Sequence, residues 1–370
     1  MKIIIILTTL FFAAELSFSQ VDFKQGTVFE VFCMAKEQNK IIMVDVLTEW
    51  CKWCVELDNK VYAKSEIYDF ANSNQINYKI DAEKGEGVAF AKRYNVQGYP
   101  TILFLDSDGK EIDRIYGYVP VKDFKEMMVD YNKGINTFGY LKKEAEKNPK
   151  NIESSLKLAD KYSMYGDNDK AIAFLKNIVK LDPDNVKGKT DDAKYRLILF
   201  SEKDKKAKDL ESFIIENKTS DQLRDAYLSL AETYYFDLND QDASEKWFKE
   251  AFGKYPNDDM LNSSYGQILN SRAGSLADKK YTADDSAKGL INTGKFDEDY
   301  KNGLALIDAA LPYVKGSVNE ASSYYLQSKL YYNLKEFSKA LESIDKALSI
   351  FNRKLYRDLK EKVEKQLSSN

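Results

Sequence analysis

Apolar residues follow two rhythms along the chain, and the rhythm changes near residue 135. From Val21 to about Lys133, helical and strand patterns alternate. Val28, Val31, Phe32 and Ala35 recur at helical spacing and predict a helix over Gly26–Asn39. Ile41–Leu47 is a nearly unbroken apolar, β-branched run, the pattern of a strand covered on both faces. Helical periodicity returns from Cys51 to Ser73, and Asn77–Ala82 reads as a short strand. Ile102–Leu105 and Ile112–Tyr116 flank Asp106-Ser107-Asp108-Gly109, a glycine-containing hairpin connection, and Val121–Tyr131 closes the unit as an amphipathic helix. Together these elements predict an α/β sheet with helices on its faces.

Beyond Gly134 the strand signals stop and helix follows helix to Asn370. A repeat of about 34 residues emerges. Leu158, Ala159, Tyr162, Ala171, Leu175, Ile178 and Pro183 fall at offsets that resemble the tetratricopeptide pattern. Tyr227, Leu230, Ala231, Tyr234, Phe248, Ala251 and Pro256 repeat it with one extra residue in the intervening turn. Tyr300, Gly303, Ile307 and Ala310 resemble a second helix of such a unit. Tyr324, Ser328, Tyr331, Phe337, Ala340, Ile344 and Ala347 make a further match. Val186–Thr219 is a degenerate repeat, Leu261–Gly294 carries extra length, and Arg353–Ser369 suits a capping helix. The expectation is an all-α solenoid of four to five repeats over 139–370, stacked because one hairpin cannot bury its own apolar face.

The first residues form an address. Met1-Lys2, an apolar run from Ile3 to Ala14, and Ser17-Phe18-Ser19 before Gln20 resemble a cleaved secretory signal over 1–19. The run ends at Glu15, short of the ~20 apolar residues that span a bilayer. The expected location is periplasmic or secreted, without a stable membrane span, where thiol pairs can be oxidised.

Composition narrows the chemistry. Of 370 residues none is histidine, which removes Ser–His–Asp and Cys–His catalysis and His-ligated metals. Three cysteines are too few for a Cys₄ metal site, so neither metal nor cofactor is expected. A net charge of −4 argues against nucleic acid as a partner.

Two of the thiols, in Trp50-Cys51-Lys52-Trp53-Cys54, sit where the strand Ile41–Leu47 gives way to a helix. At this spacing they are close enough to close a small disulfide ring. The helix start faces Cys51 with unpaired amides, Lys52 adds positive charge, and both favour a thiolate. Cys51 is then the attacking sulfur and Cys54, one turn deeper, the resolving one. A permanently closed structural disulfide is the plain alternative. Cys33, on the first helix beside Phe32, reads as a small core residue. Asp45 stands alone in an apolar strand, where a lone carboxylate is costly to bury, so it reads as functional.

Val44–Cys54 resembles the active-site strand and helix start of thioredoxins. Gly98-Tyr99-Pro100-Thr101 is similar to that family's cis-proline loop, and Gly109 and Gly117 to the glycines of its terminal hairpin. The resemblance spans about 24–134 and is strongest to secreted members with a Trp-Cys-x-x-Cys site. It implies a thioredoxin-like domain over 21–134 that acts as a thiol–disulfide oxidoreductase. Asp45 would move a proton to and from the resolving thiol, with Lys79 as its candidate partner. Trp50 would form an apolar rim, and Tyr99 and a cis Pro100 would present backbone to an extended substrate. Lys52-Trp53 replaces the usual Gly-Pro, a dipeptide that tunes reduction potential. The implied partners are disulfide- or thiol-containing proteins, a separate redox partner, and a protein or peptide on the concave helical face. The alternative is a non-catalytic scaffold in which the helical array carries the function.

Overall fold

The computed structural model describes residues 20–279 and 295–369. The signal read over 1–19, and the part of the long insertion from 280 to 294, lie outside the described residues. By packing, the chain divides into two compact units. One holds residues to 48 together with 57–133; the other runs from Gly134 onward and is grouped with the short stretch 49–56.

The first unit is built on a five-stranded sheet of order β1-β3-β2-β4-β5. Its strands are β1 (Phe23–Lys24), β2 (Ile41–Leu47), β3 (Gln75–Asp81), β4 (Thr101–Leu105) and β5 (Glu111–Tyr116). β3 runs parallel to β1 and β2, whereas β4 is antiparallel to both β2 and β5. The central strand β2 is buried along residues 42–46, which is why its sequence is apolar without alternation. Its side chains still alternate between faces. Ile42, Val44 and Val46 join Leu103, Leu105, Ile76 and Ile80 on one side. Met43 packs with Ile102, Phe104, Leu57, Val61 and Tyr62 on the other. Asp45, two residues from Met43, belongs to that second face.

Helix α1 (Val28–Gln38) opens with a reciprocal cap: the Glu30 amide donates to Thr27 Oγ1, and the Thr27 amide donates to Glu30 Oε2. Cys33 is half-buried with a free thiol, less enclosed than a core position. The helix expected from Cys51 to Ser73 is broken. It comprises α2 (Lys52–Leu57), a π-helical turn (Asp58–Tyr62), an interruption at Ala63-Lys64, and α3 (Ser65–Asn74). The π-helical turn admits an extra residue and re-aims the chain beneath the sheet. Two elements were not apparent from the pattern: β1, two residues long, and α4 (Gly87–Arg93). Gly87 lies so close to the backbone of Asp81 that a β-carbon there would sit 2.0 Å from its carbonyl oxygen. Helix α5 (Val121–Lys133) closes the unit by burying Phe124, Met128 and Tyr131.

The second unit is helical throughout its described part. It runs α6 (Phe138–Lys147), α7 (Ile152–Met164), α8 (Asn168–Leu181), α9 (Thr190–Leu199), α10 (Lys203–Glu216), α11 (Leu223–Glu232), α12 (Gln241–Lys254), α13 (Asp259–Ala277), α14 (Lys295–Val314), α15 (Val318–Asn333), α16 (Phe337–Ile350) and α17 (Lys354–Ser369). Successive helices pack against one another. The small residues Ala171, Ala251, Ala310 and Ala340 are fully buried. At one such crossing the Ser328 hydroxyl reaches the carbonyl of Ala340 at 2.8 Å, and at another a β-carbon on Gly303 would meet Leu330 at 2.8 Å. The extra residue between Tyr227 and Phe248 is absorbed by a second π-helical turn, Thr233–Asp237. The degenerate stretch is also a hairpin, α9 with α10. Its entry is shaped by the Asp182 carboxylate, which accepts from the amides of Val186 and Lys187.

Candidate functional site

Strand β2 ends at Leu47, and four residues later the chain turns into α2 at Cys51. Cys51 and Cys54 are joined in a disulfide, and each is only 4% exposed. The Cys54 backbone amide donates to Cys51 Sγ at 3.1 Å, so this sulfur caps the helix and feels its positive end. An amide aimed at sulfur stabilises the thiolate once the bond is reduced. Partial burial lowers the Lys52 ammonium's affinity for its proton. Trp50 and Trp53 remain well exposed, at 50% and 37%.

Deeper in the sheet lies a second cluster, anchored by Asp45. The β2–β3 register sets Asp45 beside Lys79 and, across β4, beside Ile102. Lys79 Nζ stands 3.8 Å from Asp45 Oδ2, too far for a hydrogen bond but close for an ion pair. The same ammonium makes a tighter contact with Asp58, on the π-helical turn. It lies over two aromatic rings, 4.6 Å from the centroid of Phe23 and 5.5 Å from that of Tyr62. Asp45 is fully buried, and among the described residues neither carboxyl oxygen completes a hydrogen bond.

These surroundings set its acidity. Burial raises the Asp45 carboxyl to about 7; Lys79 pulls it down, Asp58 pushes it up, and the Tyr62 phenol pulls it down. A carboxyl with its midpoint there can exchange its proton near neutral pH.

The loop before β4 carries the other sequence-predicted residues. The Tyr99–Pro100 peptide bond is cis. Pro100 is buried, its carbonyl accepts from the Gly117 amide at 2.8 Å, and Tyr99 packs against the core on the Val44 face. Lys79 takes the place beside Asp45 that the sequence suggested, but it divides itself between two carboxylates. Asp58 and Tyr62 were not singled out from the sequence. Their signal was spacing, since 54, 58 and 62 follow one another at about a helical turn.

Fold and dithiol together define a class: an α/β thioredoxin-like unit followed by a tetratricopeptide-type helical region. Residues 28–132 match the family model of a thioredoxin-like domain, and 321–353 match that of a tetratricopeptide repeat. Over 94 residues the chain is 32% identical to the thiol:disulfide interchange protein DsbD of Yersinia pestis (strain Pestoides F), covering 25% of this chain and 16% of that relative. The chain therefore spans a small part of the curated relative's length. A thioredoxin from Thermus thermophilus is 22% identical and aligns with 30% of this chain and 87% of its own, at a TM-score of 0.28. A tetratricopeptide repeat protein from Parabacteroides merdae ATCC 43184 is 15% identical and aligns with 66% of this chain and 82% of its own, at a TM-score of 0.36. Among the described residues, no helix is long and apolar enough to cross a membrane.

Proposed function

We propose that the chain is an extracytoplasmic thiol–disulfide oxidoreductase, with the dithiol Cys51/Cys54 as its redox centre and the helical region as its partner-binding arm. The single observation that carries this reading is the pairing of those two sulfurs at the head of α2, in a chain whose β2 holds a buried carboxyl titrating near neutrality.

Reduced Cys51 attacks one sulfur of a substrate disulfide and expels the other as a thiolate. Asp45 takes the proton from Cys54. The Cys54 thiolate then attacks Cys51 Sγ, the substrate's second sulfur leaves as a thiolate, and the Cys51–Cys54 disulfide remains. Two electrons pass from the chain to the substrate, and a separate dithiol partner restores them; run in reverse, the same steps oxidise a substrate dithiol. Trp50, Tyr99 and Pro100 are the proposed substrate contacts, by their likeness to the corresponding thioredoxin positions. In the helical region an open cavity of about 540 Å³, lined by Tyr235, Gln241, Arg272 and Leu306 among others, offers mixed polar and apolar lining for a peptide or protein partner. A periplasmic or secreted location is drawn from the signal-like residues 1–19 of the sequence and from the dithiol itself.

A Cys54→Ala variant tests the reading. It is expected to accumulate mixed disulfides through Cys51, seen by mass spectrometry of non-reduced samples, and a Cys51→Ala variant is expected to form none. Equal adducts in both, or none in either, would sink the assignment. Partner capture that persists when both thiols are replaced would instead favour a scaffold.

A further inference from the structure

The cluster beneath β2 holds a group that the exchange steps above do not use. Tyr62, at the end of the π-helical turn, is 2% exposed, and its hydroxyl is buried without a hydrogen-bond partner. The two oxygens of Asp45 are buried in the same condition. The phenol and that carboxyl flank the same ammonium: Lys79 Nζ stands 5.5 Å from the Tyr62 ring centroid and 3.8 Å from Asp45 Oδ2. Its ring is fixed from both sides, edge-on to Phe23 with centroids 5.1 Å apart and edge-on to Phe124 at 5.6 Å. Leaving buried polar atoms unsatisfied is costly, and a phenol can donate to the carboxylate without bringing a charge. The other charged groups facing Asp45 are Lys79 from β3 and Asp58 from the π-helical turn, while β4 presents only Ile102. Because Lys79 holds Asp58 more closely than Asp45, its charge is only partly committed to Asp45.

We propose that Tyr62 is a positioning residue of the exchange site, its hydroxyl turning to donate to the Asp45 carboxylate once that carboxyl ionises and sharing with Lys79 the task of supporting that charge. This deepens the oxidoreductase reading and rests on it for its functional meaning. A donor to the ionised form favours that form, so loss of the hydroxyl makes Asp45 a weaker acid. The base that frees Cys54 would then be ready only at higher pH.

The test uses the full chain with Tyr62→Phe, which keeps the ring contacts and removes only the oxygen. In the oxidised protein, the carboxyl carbon of Asp45 is followed by NMR against pH. Its midpoint is expected to rise by about half a pH unit or more, roughly a threefold weakening of the acid. In wild type, the ring carbon bearing the Tyr62 hydroxyl is expected to shift with the same midpoint. An unchanged Asp45 midpoint in the variant, or a flat Tyr62 signal in wild type, overturns the proposal; the second reading stands even if the variant fails to fold. A purely packing role for Tyr62 would move neither. Neither measurement needs turnover, so an inactive wild type would sink the oxidoreductase reading while this question is still decided. With activity present, the pH profile of mixed-disulfide resolution is expected to move upward with the carboxyl.

Discussion

Replacing Asp45 with asparagine gives the most direct physical test of the buried cluster. A carboxyl in an unfolded chain titrates near 3.8, whereas burial in the folded chain raises Asp45 to about 7. Below the lower value both states carry the proton. Between the two values unfolding releases it, so stability falls as pH rises, by up to about 1.4 kcal/mol per pH unit. Above the higher value the loss is complete. A span of roughly three pH units then amounts to about 4 kcal/mol of stability present at pH 4 and gone at pH 8. Asparagine keeps the shape and cannot ionise, so its own contribution is flat. The stability difference, Asp45→Asn minus wild type, should therefore climb by about 4 kcal/mol from pH 4 to pH 8, whatever constant cost the amide brings beside Lys79. The assay is urea unfolding of the oxidised protein at intervals of one pH unit. Of the three tryptophans, Trp50 and Trp53 flank the dithiol and Trp247 lies in α12. A Trp247→Phe background therefore makes fluorescence report on the dithiol segment. A difference that stays constant within about 0.5 kcal/mol across the range would refute the claim that Asp45 is buried at the cost of its charge.

Two other substitutions probe the sheet unit. Lys79→Met removes the cation paired with Asp45 and with Asp58, and both changes disfavour the ionised form. The Asp45 midpoint should rise by about one pH unit, read by carboxyl NMR, and an unchanged midpoint would refute the pairing. Gly87→Ala drives a β-carbon against the Asp81 carbonyl, where backbone cannot yield; a loss of about 2 kcal/mol or more in urea unfolding is expected, and a neutral result would mean that α4 docks differently.

What could be read from the sequence follows the length of each signal. β2 stood out as a nearly unbroken apolar run of seven residues, and α1 because its apolar residues kept a helical period and it ended at clear caps. The helical repeats stood out at Ala171, Ala251 and Ala340, where close crossings tolerate little else. β1 and α4 are two and seven residues long, too short for any period to declare itself. The run from Cys51 to Ser73 has helical apolar spacing throughout, and that spacing concealed the π-helical turn, because the turn inserts a residue without disturbing which side is apolar. Asp58 and Tyr62 were hidden for the same reason. On a continuous surface helix they would be an ordinary acid and an ordinary aromatic; the turn swings one towards Lys79 and drives the other into the core. Asp45 was legible because a lone acid in an apolar strand is costly to bury, whereas Lys79 became definite only through strand register.

The serial packing of the helical unit has a consequence for how it comes apart. Each hairpin leans mainly on the hairpins before and after it, with buried alanines such as Ala171, Ala251 and Ala340 among the close contacts. Such a stack stores its cohesion locally, like a row of coupled links, and melting at the α17 end need not propagate to α6. The sheet is different: β2 touches both of its apolar layers, so that half stands or falls as one. One polypeptide thus joins an all-or-none block to an extensible spring, and amide exchange should fade gradually along the second while vanishing uniformly in the core of the first.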